Sequence, residues 1–189
     1  QVRHQVIRAI RKWNADIVLG HRPNDYHPDH RNAGKVVVDA SYMVIVPYVC
    51  PDTPPLSKNP LFLYMEDNFT KPYPHEPDIV VSIDNIIELK IDGLHAHTSQ
   101  MYEWLPWTNG GDEILAKIPT TNNERRKWLS KRVKNRSNNI DSIKRISLVK
   151  WYGKDLAKKV KYIESFEVAE YGMQPTDKDI RSLFPMLKK

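Results

Sequence analysis

The 189 residues amount to one domain's worth of chain, 22.1 kDa, long enough to bury a core. Hydrophobic residues make up 40% and charged residues 28%, which excludes a disordered chain, and no run approaches the roughly 18 apolar residues of a membrane span. The net charge is +6, and the lone Cys50 excludes an internal disulfide framework and any multi-cysteine metal site; it is compatible with a cytoplasmic protein.

The chain opens on Gln1, not Met, in what reads as a helix over residues 2–13. Val2, Val6, Ile7 and Ile10 recur at helical spacing, with Arg3, Arg8, Arg11 and Lys12 on the other side. Residues 15–20, Ala-Asp-Ile-Val-Leu-Gly, read as a buried strand. A helix from Pro28 to about Val44 follows, with Val36, Val37, Ala40, Val44 and Ile45 as its apolar stripe. Between strand and helix lies the densest polar cluster of the chain, His21-Arg22-Pro23-Asn24-Asp25-Tyr26-His27-Pro28-Asp29-His30-Arg31. In open α/β sheets the carboxyl end of a strand is where ligands and catalytic groups gather. With Pro28 in the first helical position, His27 and His30 lie at the helix entrance and lean to one side. Asp25 reads either as an acceptor behind an imidazole or as a turn residue.

After a proline-punctuated loop over 50–60, Leu61-Phe62-Leu63-Tyr64-Met65 reads as a buried strand ending in Glu66-Asp67-Asn68. Residues 78–83 read as a third strand, and Asp84 as the N-cap of a long helix with the stripe Ile87, Ile91, Leu94, Met101 and Leu105. Alternating strands and helices predict a mostly parallel α/β sheet with helices on both faces. Residues 106–123 read as a loop-rich insertion. From 120 to 161 the chain is helical and strongly basic, with 14 Lys or Arg against 3 Asp or Glu. Lysines and arginines interleaved with Trp128, Trp151 and Tyr152 also fit an anionic-polymer surface, but no nucleic-acid motif accompanies them, so nucleic acid is not the expected partner.

The segment His27-Pro28-Asp29-His30-Arg31 after Asp16-Ile17-Val18-Leu19 resembles the second motif of the zinc-dependent de-N-acetylases of the LmbE / PIG-L family. Later segments resemble the family in the same order: Ala96-His97-Thr98-Ser99-Gln100, then Tyr162-Ile163-Glu164-Ser165-Phe166, then Leu183-Phe184-Pro185. The resemblance implies a Rossmann-like three-layer αβα fold. It implies that residues 1–189 are the carboxyl-terminal portion of one such domain, with a basic helical insertion around 106–160 and the N-terminal strands missing. By its terms His30 binds the metal, His27 stabilises the reacting carbonyl or acts as acid, Asp29 orients His27, and His97 contacts substrate; Arg22 and Tyr26 read as substrate contacts through a guanidinium and a hydroxyl. The implied cofactor is Zn²⁺, and the partner an N-acetylated sugar or glycoconjugate. The family's earlier His-Pro-Asp-Asp motif has no counterpart here, so the remaining ligands are expected from a segment before Gln1, and this chain by itself is expected to bind zinc poorly and to be inactive. An unpaired strand edge would then favour a homo-oligomer. The competing reading is a carbohydrate- or nucleic-acid-binding protein that keeps the fold without the first metal motif.

Overall fold

The computed structural model describes residues 1–187. In chain order the elements are α1 (Val2–Trp13), β1 (Ile17–Gly20), α2 (Pro28–Met43), β2 (Leu61–Met65), β3 (Ile79–Ser82), α3 (Ile87–His95), a π-helical turn (Gln100–Trp104), α4 (Leu105–Thr108), α5 (Gly111–Leu115), α6 (Asn122–Ser137), α7 (Ser142–Tyr152), α8 (Lys154–Lys159), β4 (Ile163–Gly172), α9 (Asp177–Leu183) and a 3-10 turn (Pro185–Leu187). No helix among the described residues is long and apolar enough to cross a membrane.

The four strands form one sheet in the order β1-β2-β4-β3. β1 runs parallel to β2, Ile17 opposite Leu61 through Gly20 opposite Tyr64, with α2 as the crossover. β4 returns antiparallel to β2, Leu63 opposite Val168 and Met65 opposite Phe166. The expected three strands are therefore four, and the sheet is mixed: an α/β fold with an antiparallel β2–β4 pair where a mostly parallel sheet was anticipated. β4 does not advertise itself because its inward positions, Ile163, Ser165, Glu167 and Ala169, include two polar residues. Its period of two is intact, but its hydrophobic alternation is not.

The chain divides into two compact units. The first holds Gln1–Val81, Ile146–Gly153 and the chain from Ser165 on. Its core joins Ile7 and Ile10 of α1, Ala40 and Val44 of α2, Cys50, Phe62 and Tyr64 of β2, and Ala169 of β4. Arg11 is 5% exposed and, among the described residues, has no acidic partner. Its guanidinium donates instead to the carbonyls of Met43, Val44, Val46, Val49, Cys50 and Thr53, at 2.6 to 3.0 Å. These include carbonyls at the end of α2, where a positive charge is favoured.

The second unit holds Ser82–Arg145 and Lys154–Glu164, and so most of the stretch expected as a basic insertion. α3 packs on α6, and basic residues of α6 are partly neutralised there: Arg126 pairs with Asp92 and Glu88, and Lys134 with Glu88, at 2.6 to 3.0 Å. The long helix expected from Asp84 is broken. α3 stops at His95, and the chain resumes as a π-helical turn in which Leu105 N–H reaches back to Gln100 O. Pro106 follows at once; it has no N–H to offer the carbonyl of Tyr102, and a wider turn relieves the mismatch. The loop expected over 106–123 contains the short helices α4 and α5.

Candidate functional site

β1 ends at Gly20, and the polar loop begins at His21. A Cβ on Gly20 would lie 3.2 Å from Val37 Cγ1, and one on Gly34 would lie 2.6 Å from the His21 carbonyl oxygen. Two glycines thus let α2 close directly onto the strand end and the loop that leaves it. Pro28 is the first helical residue, and His27 is the N-cap with extended backbone.

The two imidazoles are held in opposite ways. His27 Nδ1 accepts the backbone N–H of Asp29 at 3.2 Å, as a capping side chain does. In the neutral ring the proton is then on Nε2, so His27 presents a donor. His30 Nδ1 lies 3.0 Å from Asp25 Oδ1. A carboxylate only accepts, so His30 carries its proton on Nδ1 and presents the Nε2 lone pair. Asp25 Oδ1 also accepts His27 N–H at 2.9 Å, and Arg31 Nη1 fixes the Asp25 carbonyl at 2.6 Å. Burial pushes the Asp25 carboxyl up, but the His27 N–H and the hydrogen bond to the His30 ring outweigh it and hold it below the usual range.

His21 stacks on His30, ring centres 4.7 Å apart and 8° from parallel. One donor atom each of His21, Asp25 and His30 lies within 4.8 Å of the others, a cluster suited to a metal ion. Two imidazoles and a carboxylate are the donor types of catalytic zinc sites. Sequence reasoning did not assign His21 to the site; what it lacked was the stacking of His21 on a ring nine residues away.

The other expected site residues fall as follows. Asp29 Oδ2 is 3.8 Å from His27 Nδ1, and its side chain is 87% exposed, so the Asp29 amide rather than its carboxylate occupies that nitrogen. Tyr26 is 68% exposed, edge-on to both His27 and His30. Arg22 is turned inward, 3% exposed. Its Nη1 donates to Asp67 Oδ1 at 2.8 Å and Phe69 O at 3.1 Å, and its Nη2 to Tyr73 O at 2.6 Å. Together with Asn24 Nδ2 on Lys71 O at 2.8 Å, this stitches the histidine loop to the segment after β2. His97 is exposed and lies in the second unit, between α3 and the π-helical turn.

Beneath the stitching lies a buried carboxylate, Glu167 of β4. It accepts the Tyr73 hydroxyl at 2.9 Å and the Glu76 N–H at 3.1 Å. Arg22 Nε and His75 Nδ1 both face its Oε2, at 3.3 and 3.4 Å, without an aligned hydrogen bond. Burial pushes the Glu167 carboxyl up, and His75, the Glu76 N–H, Tyr73 and Arg22 more than reverse it. His75 Nε2 lies 3.1 Å from Ser165 Oγ. The row Ser165-His75-Glu167 has the order of a nucleophile relay, but Ser165 is 2% exposed and its proton is committed to Glu66. The row is structural.

No family model matches the chain. Over 116 residues, 57% of the chain and 41% of the relative, it is 28% identical to diacetylchitobiose deacetylase of Thermococcus kodakarensis. Its fold is similar to that of the N,N'-diacetylchitobiose deacetylase of Pyrococcus horikoshii in complex with an inhibitor, with TM-score 0.54 and 20% identity over 94% of this chain and 55% of that one. It is also similar to the 4-carboxy-2-hydroxymuconate hydratase GalB of Pseudomonas putida, with TM-score 0.57 and 13% identity over 92% and 60%. The chain therefore spans about half the length of these relatives. The likeness to the LmbE-like de-N-acetylases, legible in the histidine loop, holds in sequence and in fold. The particular proteins it is similar to include two diacetylchitobiose deacetylases and one hydratase, so chemistry has to be argued from the site.

Proposed function

We propose that this chain is part of a hydrolase that removes an N-acetyl group from an amino sugar or glycoconjugate, with a zinc ion held at His30. The observation that carries this reading is the pairing of opposite tautomers in one loop. His30 offers a lone pair, fixed from behind by Asp25, as a metal-ligating imidazole requires. His21, whose ring stacks on that of His30, stands within reach as a further donor. Zinc bound there supplies an acidified water and polarises the amide carbonyl. His27 meets the other requirement: its Nε2–H points a donor at the oxygen on which charge develops. Tyr26 offers its exposed hydroxyl to the sugar. His97 remains a proposed substrate contact by resemblance, whereas Arg22 serves by holding the loop. The deacetylase relative, similar over 57% of the chain, supports the reaction class.

The test is metal content and acetate release, measured on the protein expressed from its own start codon. About one zinc per chain with acetate release from N-acetylated sugars is expected. His30→Ala loses the metal, whereas His27→Ala keeps it and loses about 10²-fold or more in rate. A metal-free protein that binds a saccharide without turnover would favour the binding-protein reading. A His27→Ala variant as fast as the native protein would refute the assignment of that residue.

A further inference from the structure

On the second unit a hollow of about 390 Å³ is lined by Ser99, Glu103, Trp104, Trp107 and Leu115. Its wall is aromatic: the two indoles lie 5.7 Å apart, 26° from parallel, and are 53% and 49% exposed. Tryptophan is costly to leave half in water, so a stacked, exposed pair marks a binding surface. Trp104 closes the π-helical turn Gln100–Trp104 that Pro106 widens. Trp107 follows three residues on, so both indoles leave the same side of the chain. The polar groups beside them, Glu103 and Ser99, are exposed and oxygen-bearing. His97 precedes Ser99 by two residues.

A flat aromatic face flanked by a carboxylate and a hydroxyl matches a pyranose ring, whose C–H face stacks while its polar groups reach the rim. Indole faces and a carboxylate together also attract a cation. We propose that this hollow is a saccharide platform holding an amino-sugar ring with a free, protonated amine. The choice of sugar rests on the de-N-acetylase reading, whose reaction leaves such a ring.

The experiment follows the indole N–H signals of the isotope-labelled protein by NMR during titration with the β-linked disaccharide of glucosamine, at mildly acidic pH. This probe has no acetyl group to lose, so the readout is independent of turnover. Cellobiose, with hydroxyls in place of the amines, is the comparison. Saturable shifts are expected at Trp104 and Trp107 and not at Trp13, which is 83% exposed and serves as the control. Binding of cellobiose should be about tenfold weaker, Glu103→Gln should erase that preference, and Trp107→Ala should weaken binding about tenfold. Absence of saturable shifts, or equal shifts at Trp13, overturns the platform. Equal affinity of the native protein for the two sugars also overturns the proposal, as do signals that move with protein concentration alone, which would mean that a second copy covers the hollow. Sugar-dependent shifts without acetate release from N-acetylated sugars, both measured on the protein expressed from its own start codon, would refute the de-N-acetylase reading and leave the platform standing.

Discussion

Glu167→Gln removes the charge at the centre of the stitching while keeping the side chain's shape. The native carboxylate is 4% exposed and faces four donors: the Tyr73 hydroxyl, the Glu76 N–H, Arg22 Nε and His75 Nδ1. A glutamine retains one acceptor oxygen and turns an amide donor toward the others. Removing one partner of a buried ion pair costs about 3–5 kcal/mol. Arg22 keeps Asp67, and the contacts of Arg22 and His75 with Glu167 are not aligned hydrogen bonds, so the loss should fall near 3 kcal/mol. The pH dependence follows from the carboxyl's depressed position. A group whose folded pKa lies below its unfolded value contributes stability above the unfolded pKa and loses it as pH falls through the folded one. The gap between native and Glu167→Gln proteins should therefore be full at neutral pH and shrink on acidification. Urea unfolding across that range measures it. A gap under about 1 kcal/mol at neutral pH, or one that does not narrow in acid, would refute the argument.

Arg11→Lys should cost about 2 kcal/mol or more in urea unfolding, because a point-like ammonium with three donors cannot reach six carbonyls; near-native stability would show that water serves those carbonyls instead. Gly34→Ala sets a helix-propensity gain of about 1 kcal/mol against a new Cβ placed 2.6 Å from the His21 carbonyl oxygen. The clash is with backbone, so net destabilisation of about 1–2 kcal/mol is expected, with shifted ring signals of His21 and His30; a more stable protein with unmoved signals would contradict it. Asp25→Asn should weaken zinc binding about 10- to 100-fold and redistribute the His30 ring proton, read from its ring-nitrogen shifts; unchanged affinity would leave Asp25 as a turn residue.

Much of the fold is legible locally. α1 and α2 carry a helical period and β2 and β3 a short apolar run that their own residues display, and each lies where that signal places it. β4 is illegible for a long-range reason: Ser165 and Glu167 are polar residues on a buried face, tolerable only because His75 and Arg22 reach them from some 90 and 145 positions away. The π-helical turn is likewise set by Pro106, a residue just beyond it. In the site, the His27-Pro28-Asp29-His30 string shows that two imidazoles share a helix entrance. It does not show which nitrogen each presents. That depends on Asp25 folding back onto His30 while the Asp29 amide turns onto His27, two hydrogen bonds of one loop that only the folded backbone displays.

The mixed sheet explains why the site draws on a strand that a parallel reading overlooks. In a parallel strand the residues near the ligand lie at the carboxyl end, as His21 does after β1 and Glu66 does after β2. β4 runs the other way beside β2, with Met65 opposite Phe166. Its early residues therefore stand level with the carboxyl ends of β1 and β2. Ser165 meets Glu66, and Glu167 meets the arginine that adjoins His21. Polar residues buried at the start of an antiparallel strand thus brace the loop that carries the histidines from below. Their cost in desolvation is offset by holding Arg22, and through it the loop, in one position.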